Sequence, residues 1–183
     1  MKDRAMGETT ANILSKASEA WRDVMALYAG AMMSAQILER ELVQVLYFLR
    51  IGSGELRKER FYWEYHQMMG MKPRKVLDYI RGCGGNLSHE SQEAVKKALL
   101  DRNFLAHGFF HKYKPAMSAT QCKRAGTMLR KIESDLNAAH GLLQPLRQEL
   151  ENRLGLSVHR QSKWEGYLKK FVDAISSFND GES

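Results

Sequence analysis

Cysteine and proline are scarce in this chain, with two of the first (Cys83 and Cys122) and three of the second among 183 residues. Two cysteines cannot build the disulfide scaffold of a small secreted domain. The length is sufficient to bury a hydrophobic core without one. So few prolines leave long stretches in which nothing interrupts a helix. Alternating β-branched runs between turn dipeptides are also missing, which removes the usual signs of strands and hairpins. No uncharged apolar run reaches the ~18 residues that a bilayer-spanning helix requires. The opening "MKDRAMGETTANILSK" carries charge early and has no continuous apolar segment. No secretory signal is therefore expected, and a reduced cytoplasm is the expected location, with no membrane partner.

Hydrophobic residues make up 44% of the chain, which argues against disorder as its general state. The net charge of +7 suits an acidic partner such as nucleic acid, and equally a plain basic protein. Apolar spacing is helical throughout. Leu14, Ala17, Trp21, Met25, Tyr28, Met32, Ala35, Leu38, Leu42, Val45 and Leu49 predict one long first helix, with Thr9 or Thr10 as N-cap, a weak point at Gly30 and an end in "IGSGE". "LRKERFYWEYHQMMG" predicts an aromatic-rich helix closing at Gly70. Pro73 opens a third, "PRKVLDYIRG", which stops in "GCGGN". Ser88 caps a fourth. A heptad-like seam from Cys122 through Leu129, Leu136 and Leu143 to Leu150 marks a fifth, kinked or split near Gly141 and Pro145. Trp164, Leu168, Phe171, Ile175 and Phe178 mark a last short helix. The expectation is a single all-α domain over 1–183, a bundle of about five to six helices, fraying at 1–8 and 179–183.

The fourth helix carries "DRNFLAHGFF", residues 101–110, in which an arginine, an amide and an imidazole sit among apolar neighbours. At about 100° per residue, Val95, Leu99, Ala106 and Phe109 gather on one side, with Leu100 and Phe104 nearly opposite. Such a helix is expected to be central in the bundle. Arg102 falls inside the apolar stripe, and Asn103 and His107, four apart, share a face beside it. A guanidinium cannot shed its proton, so it needs an acceptor. That acceptor is either a carboxylate of another helix, with Glu39, Glu41 or Glu64 as candidates, or a phosphate that arrives and leaves.

Arg102, Asn103 and His107 resemble the signature of the HEPN superfamily (higher eukaryotes and prokaryotes nucleotide-binding domain). That signature is an Arg, a polar residue directly after it, and a His beyond four to six intervening residues. The resemblance implies an all-α bundle with the motif late on an inner helix. It also implies a homodimer and, in many members, a metal-independent endoribonuclease acting as a toxin or in antiviral defence, with an antitoxin or regulatory protein as a further partner. Other members have lost activity and bind nucleotides or partners. In the version paired with nucleotidyltransferase antitoxins a Tyr stands two positions after the His. Here that residue is Phe109, which has no hydroxyl to modify.

The residue types suit RNA cleavage by 2′-hydroxyl attack on the adjacent phosphate. Imidazole can take or give the proton near neutrality, arginine offers a fork of donors to phosphate oxygens, and Asn103 can orient either group. One chain brings one such His, whereas the reaction uses an acid and a base; a twofold dimer supplies both. No metal or cofactor is expected: His107 and His111 have zinc-like spacing but lack an intervening Glu and an evident third ligand. Arg57, Lys58, Arg60, Lys72, Arg74 and Lys75 are candidate RNA-binding residues, interleaved in part with Phe61, Tyr62, Trp63 and Tyr65; a solvated face over core aromatics is the ordinary alternative.

Overall fold

In a computed structural model of the chain, the described residues are 2–56, 67–114 and 118–155, with side chains described from residue 19 onward. Their regular elements are all helical: α1 (Lys2–Gly52), α2 (Pro73–Gly82), α3 (His89–Asn103), α4 (Phe109–Lys112) and α5 (Ala119–Arg153), with one π turn, Phe104–Gly108, joining α3 to α4. The chain is thus an all-α bundle, as its spacing predicts. Arg57, Lys58, Arg60 and Glu64 lie outside the described residues, as does the segment from Trp164 to Phe178.

α1 begins at Lys2 and runs straight through Thr9 and Thr10, which therefore cap nothing. Lys, Arg, Ala, Met and Glu ahead of them are good helix formers and outweigh the single Gly7. Gly30 does not weaken the helix either. A Cβ there would stand 3.2 Å from Glu133 Oε1 of α5, so the position serves close approach of the two helices. α1 ends where Gly54 adopts φ +79°, a left-handed conformation that glycine takes without steric cost.

α5 opens with a reciprocal capping box: Gln121 N donates to Ser118 Oγ, and Ser118 N donates to Gln121 Oε1 at 2.9 Å. It passes unbroken through Gly141 and Pro145, correcting the expected split. The proline ring sits on the exposed side of the helix. Burial of Leu136, Ala139, Leu143 and Leu150 on the other side offsets the roughly 3 kcal/mol that an interior proline costs.

The core forms where α1 lies along α5. Leu38, Leu42, Leu46, Leu129, Leu136 and Leu143 are at most 1% exposed. At about 1.5–3 kcal/mol per buried side chain, this seam is the main source of stability. Between Leu42 and Leu49 every α1 residue except Gln44 is buried, so the second half of α1 is the central helix. The motif helix α3 is not central, contrary to expectation: Leu100 is 66% exposed and Phe104 half-buried. One polar knot crosses the seam. Arg147 Nε donates to Glu41 Oε1 at 2.7 Å, its Nη1 pairs with Glu151, and His140 Nε2 stands 3.7 Å from Glu41 Oε2.

Candidate anion-binding groove

Ser88 fixes the start of α3 by accepting a hydrogen bond from Ser91 N at 3.1 Å. From there α3 follows α5, to which Lys97 ties it through Asp135 at 2.8 Å. This pair raises the Lys97 pKa, and the hydrogen bond from Lys97 holds the Asp135 carboxyl below its ordinary range. Beside the pair, burial and then the Asp135 charge push the Asp101 carboxyl up, and Asp101 Oδ2 is buried without a hydrogen bond. Val95, Ala98 and Leu99 turn inward. The opposite edge of α3 faces a groove of about 940 Å³ shared with the start of α2.

At Phe104 the backbone changes closure: Phe109 N donates to the Phe104 carbonyl, five residues back. A π turn takes in one more residue than an α turn and is seldom found without a local cause. The cause here is α1. Tyr28 donates its hydroxyl proton to the Leu105 carbonyl at 3.2 Å, and its ring centroid lies 4.9 Å from those of Phe109 and Phe110. Past Arg102 the buried side chains are Leu105 and Phe109; Ala106, expected on the apolar stripe, is exposed, because a constant 100° rotation does not hold across the π turn.

The three motif residues line the same groove. Arg102 reaches back to α1, where its Nε forms an ion pair with Glu39 Oε1, while Nη1 donates to Asn103 Oδ1 at 3.2 Å. Of the two candidate carboxylates among the described residues, Glu39 and Glu41, Glu39 is thus the one that Arg102 meets; Glu64 lies outside them. Glu41 belongs to Arg147 and His140 instead. The Arg102 side chain keeps 27% exposure, and a smaller cavity of about 250 Å³ opens on its other side, beside Glu39, Met69 and Val76. His107 is exposed, and its imidazole has no hydrogen-bond or ion-pair partner among the described residues.

Lys72, just before α2, and Arg74 in its first turn join the groove, and neither has an ion-pair partner among the described residues; Lys75 does not line it. Pro73 between them opens α2, whose first backbone N–H groups have no side-chain cap, so the helix adds its positive end to the same wall. Two lysines that the sequence reading passed over, Lys96 and Lys97, also line it, with Leu100. The signal for Lys96 was available: Lys96, Leu100, Asn103 and His107 recur at steps of four, three and four, the spacing of one helix face. Among the described residues Glu93 is the groove's lone carboxylate, and it is held by Lys96 at 2.6 Å. Among the described residues no three His, Cys, Asp or Glu side chains are grouped as a metal site, and no helix is long and apolar enough to cross a membrane.

Fold and groove together define an all-α bundle with a cationic cleft along its motif helix. Compared with protein-family models, curated proteins and solved structures, the chain matches none.

Proposed function

We propose that this chain is a metal-independent endoribonuclease of HEPN type, cutting RNA at a site completed by a second copy of itself. The observation that carries the reading is the meeting of Lys72, Arg74, Arg102, Asn103 and His107 on one groove, whose single carboxylate among the described residues, Glu93, is paired with Lys96. Phosphate oxygens are met by Lys72, Arg74 and the outer edge of Arg102. His107 of one copy takes the proton from the attacking 2′-hydroxyl, and the same residue of the second copy protonates the departing 5′-oxygen. The products are a 2′,3′-cyclic phosphate and a 5′-hydroxyl. Asn103 steers the Arg102 guanidinium through their hydrogen bond. Exposed Ala106 and Phe110, the latter 47% exposed, give a partner copy a small and apolar surface to cover beside the motif. A cytoplasmic toxin or antiviral effector, restrained by an antitoxin or regulatory protein, is the biological role that goes with this chemistry.

The ion pair between Arg102 and Glu39 favours a second reading, a module that binds an anion or a partner without cleaving it. Incubation with RNA in EDTA, alongside His107→Ala, separates the two. Cleavage to cyclic-phosphate ends that disappears in the variant supports the nuclease. Absence of cleavage in both proteins, or equal cleavage in both, rejects it.

A further inference from the structure

The groove has apolar lining residues that phosphate binding alone does not use. Leu100 and Phe104 line it next to His107. The Phe104 ring is held in place from two sides. It meets Phe109 edge-on, with centroids 6.4 Å apart, and a Cβ on Gly108 would lie 2.8 Å from its Cδ2. Gly108 has φ −107°, which any residue adopts, so the ring and not the backbone is what calls for glycine here. Lys112 Nζ stands 6.0 Å from the ring centroid, at the outer limit of a cation–π contact.

An aromatic ring in the lining, with Lys72 and Arg74 free of ion-pair partners among the described residues, is the combination that holds single-stranded nucleic acid: bases stack on rings while cations follow the backbone. A duplex keeps its base faces inside its own stack. The acidic side chains of a polypeptide match the charge but bring no aromatic face to the ring. The groove's contents therefore favour an unpaired strand over both.

We infer that Phe104 is the stacking platform for an unpaired base of single-stranded RNA, and that Gly108 keeps the ring in position for it. The inference rests on the reading of the groove as an RNA site, though not on cleavage. Phe104 and Gly108 then determine substrate class, beside the residues that handle phosphate and protons.

Binding of a fluorescent 2′-O-methyl oligoribonucleotide, which has no attacking hydroxyl, tests this without turnover. The same strand annealed to its complement and a polyglutamate are the comparisons. The single strand should bind the full chain at least about tenfold more tightly than either, since only it offers open base faces. Phe104→Leu, which keeps most of the apolar volume, should weaken single-strand binding about tenfold. Its slope of log affinity against log salt should stay unchanged, because no phosphate contact is lost. Phe104→Tyr should restore binding, and Gly108→Ala should reproduce the loss. Wild-type affinity in Phe104→Leu, or duplex or polyglutamate binding as tight as the single strand, overturns the inference. A protein that cleaves RNA but ignores Phe104→Leu refutes the platform and leaves the nuclease standing; one that binds as described but never cleaves does the reverse.

Discussion

Replacing Glu39 by Gln asks directly whether Arg102 serves an anion or the fold. The amide keeps the shape and an oxygen for Arg102 Nε but removes the charge. Two effects of opposite sign follow. The ion pair lies between the exposed and buried limits, with 27% and 19% of the two side chains accessible. Its loss should cost about 1–2 kcal/mol, more than a surface pair and less than a fully buried one. For a chain of this size that is a fall in Tm of roughly 2–8 °C. An RNA phosphate seated on the outer edge of Arg102 would feel the Glu39 carboxylate across the guanidinium, at about 5–6 Å; in a solvated groove that repulsion is on the order of 1 kcal/mol. Glu39→Gln should therefore bind RNA roughly fivefold more tightly at low salt, with the gain shrinking as salt rises. Fluorescence anisotropy and a thermal melt read the two effects separately. A lower Tm with unchanged or weaker RNA binding would refute the reasoning, because Arg102 would then be a structural partner of Glu39 and nothing more.

Lys72→Ala with Arg74→Ala should flatten the salt dependence of single-strand binding by about 1.4 in log–log slope, at about 0.7 per phosphate contact, whereas Lys75→Ala leaves it unchanged; equal effects would remove the groove as the RNA path. Arg147→Met leaves Glu41 and Glu151 buried without their cation and should cost about 3–5 kcal/mol in urea denaturation; a loss below about 1 kcal/mol would show that the knot is solvated. Asp101 has its carboxyl raised by burial and by Asp135, so its ionised form opposes folding above its folded-state pKa, and protonation relieves that cost as pH falls. Asp101→Asn should melt above the parent protein near pH 7, with the gap closing toward about pH 4; a gap constant across that range contradicts the assignment. Asp135 is lowered, so Asp135→Asn should melt below the parent near pH 7, and that gap too should close as acid protonates the parent's carboxylate.

The helices were legible because their signals are local. Ser88, Pro73 and Gly54 punctuate the chain where the sequence places starts and stops. The seam from Cys122 to Leu150 is buried as its spacing requires, with Leu146 alone only partly covered. Pro145 does not split the helix, because a proline on a solvent face, backed by buried leucines, is outweighed by packing that local sequence does not reveal. The motif residues are legible as a set, and Glu39 as one of three candidate acceptors. Choosing among them needed the distance between α1 and α3. The π turn was beyond reach, since its cause is a tyrosine 77 residues away in sequence. Lys96 is legible from its spacing on the motif's own helix, whereas Lys97, off that spacing, is placed in the groove only by the fold.

The π turn has a consequence for how this protein can change. Removing one residue from an ordinary α-helix swings everything beyond it by about 100° and tears apart whatever packing lies downstream. Phe104–Gly108 already holds one residue in surplus. Excising Ala106 should let the segment relax into plain α geometry, with Phe109 still against Tyr28 and Tyr113 still against Met128. Arg102 and His107 would then be one residue closer along the chain. The bundle thus contains a place where the motif's spacing can be shortened while the interior stays intact, so ancestry or engineering could silence or retune the groove without paying in foldedness.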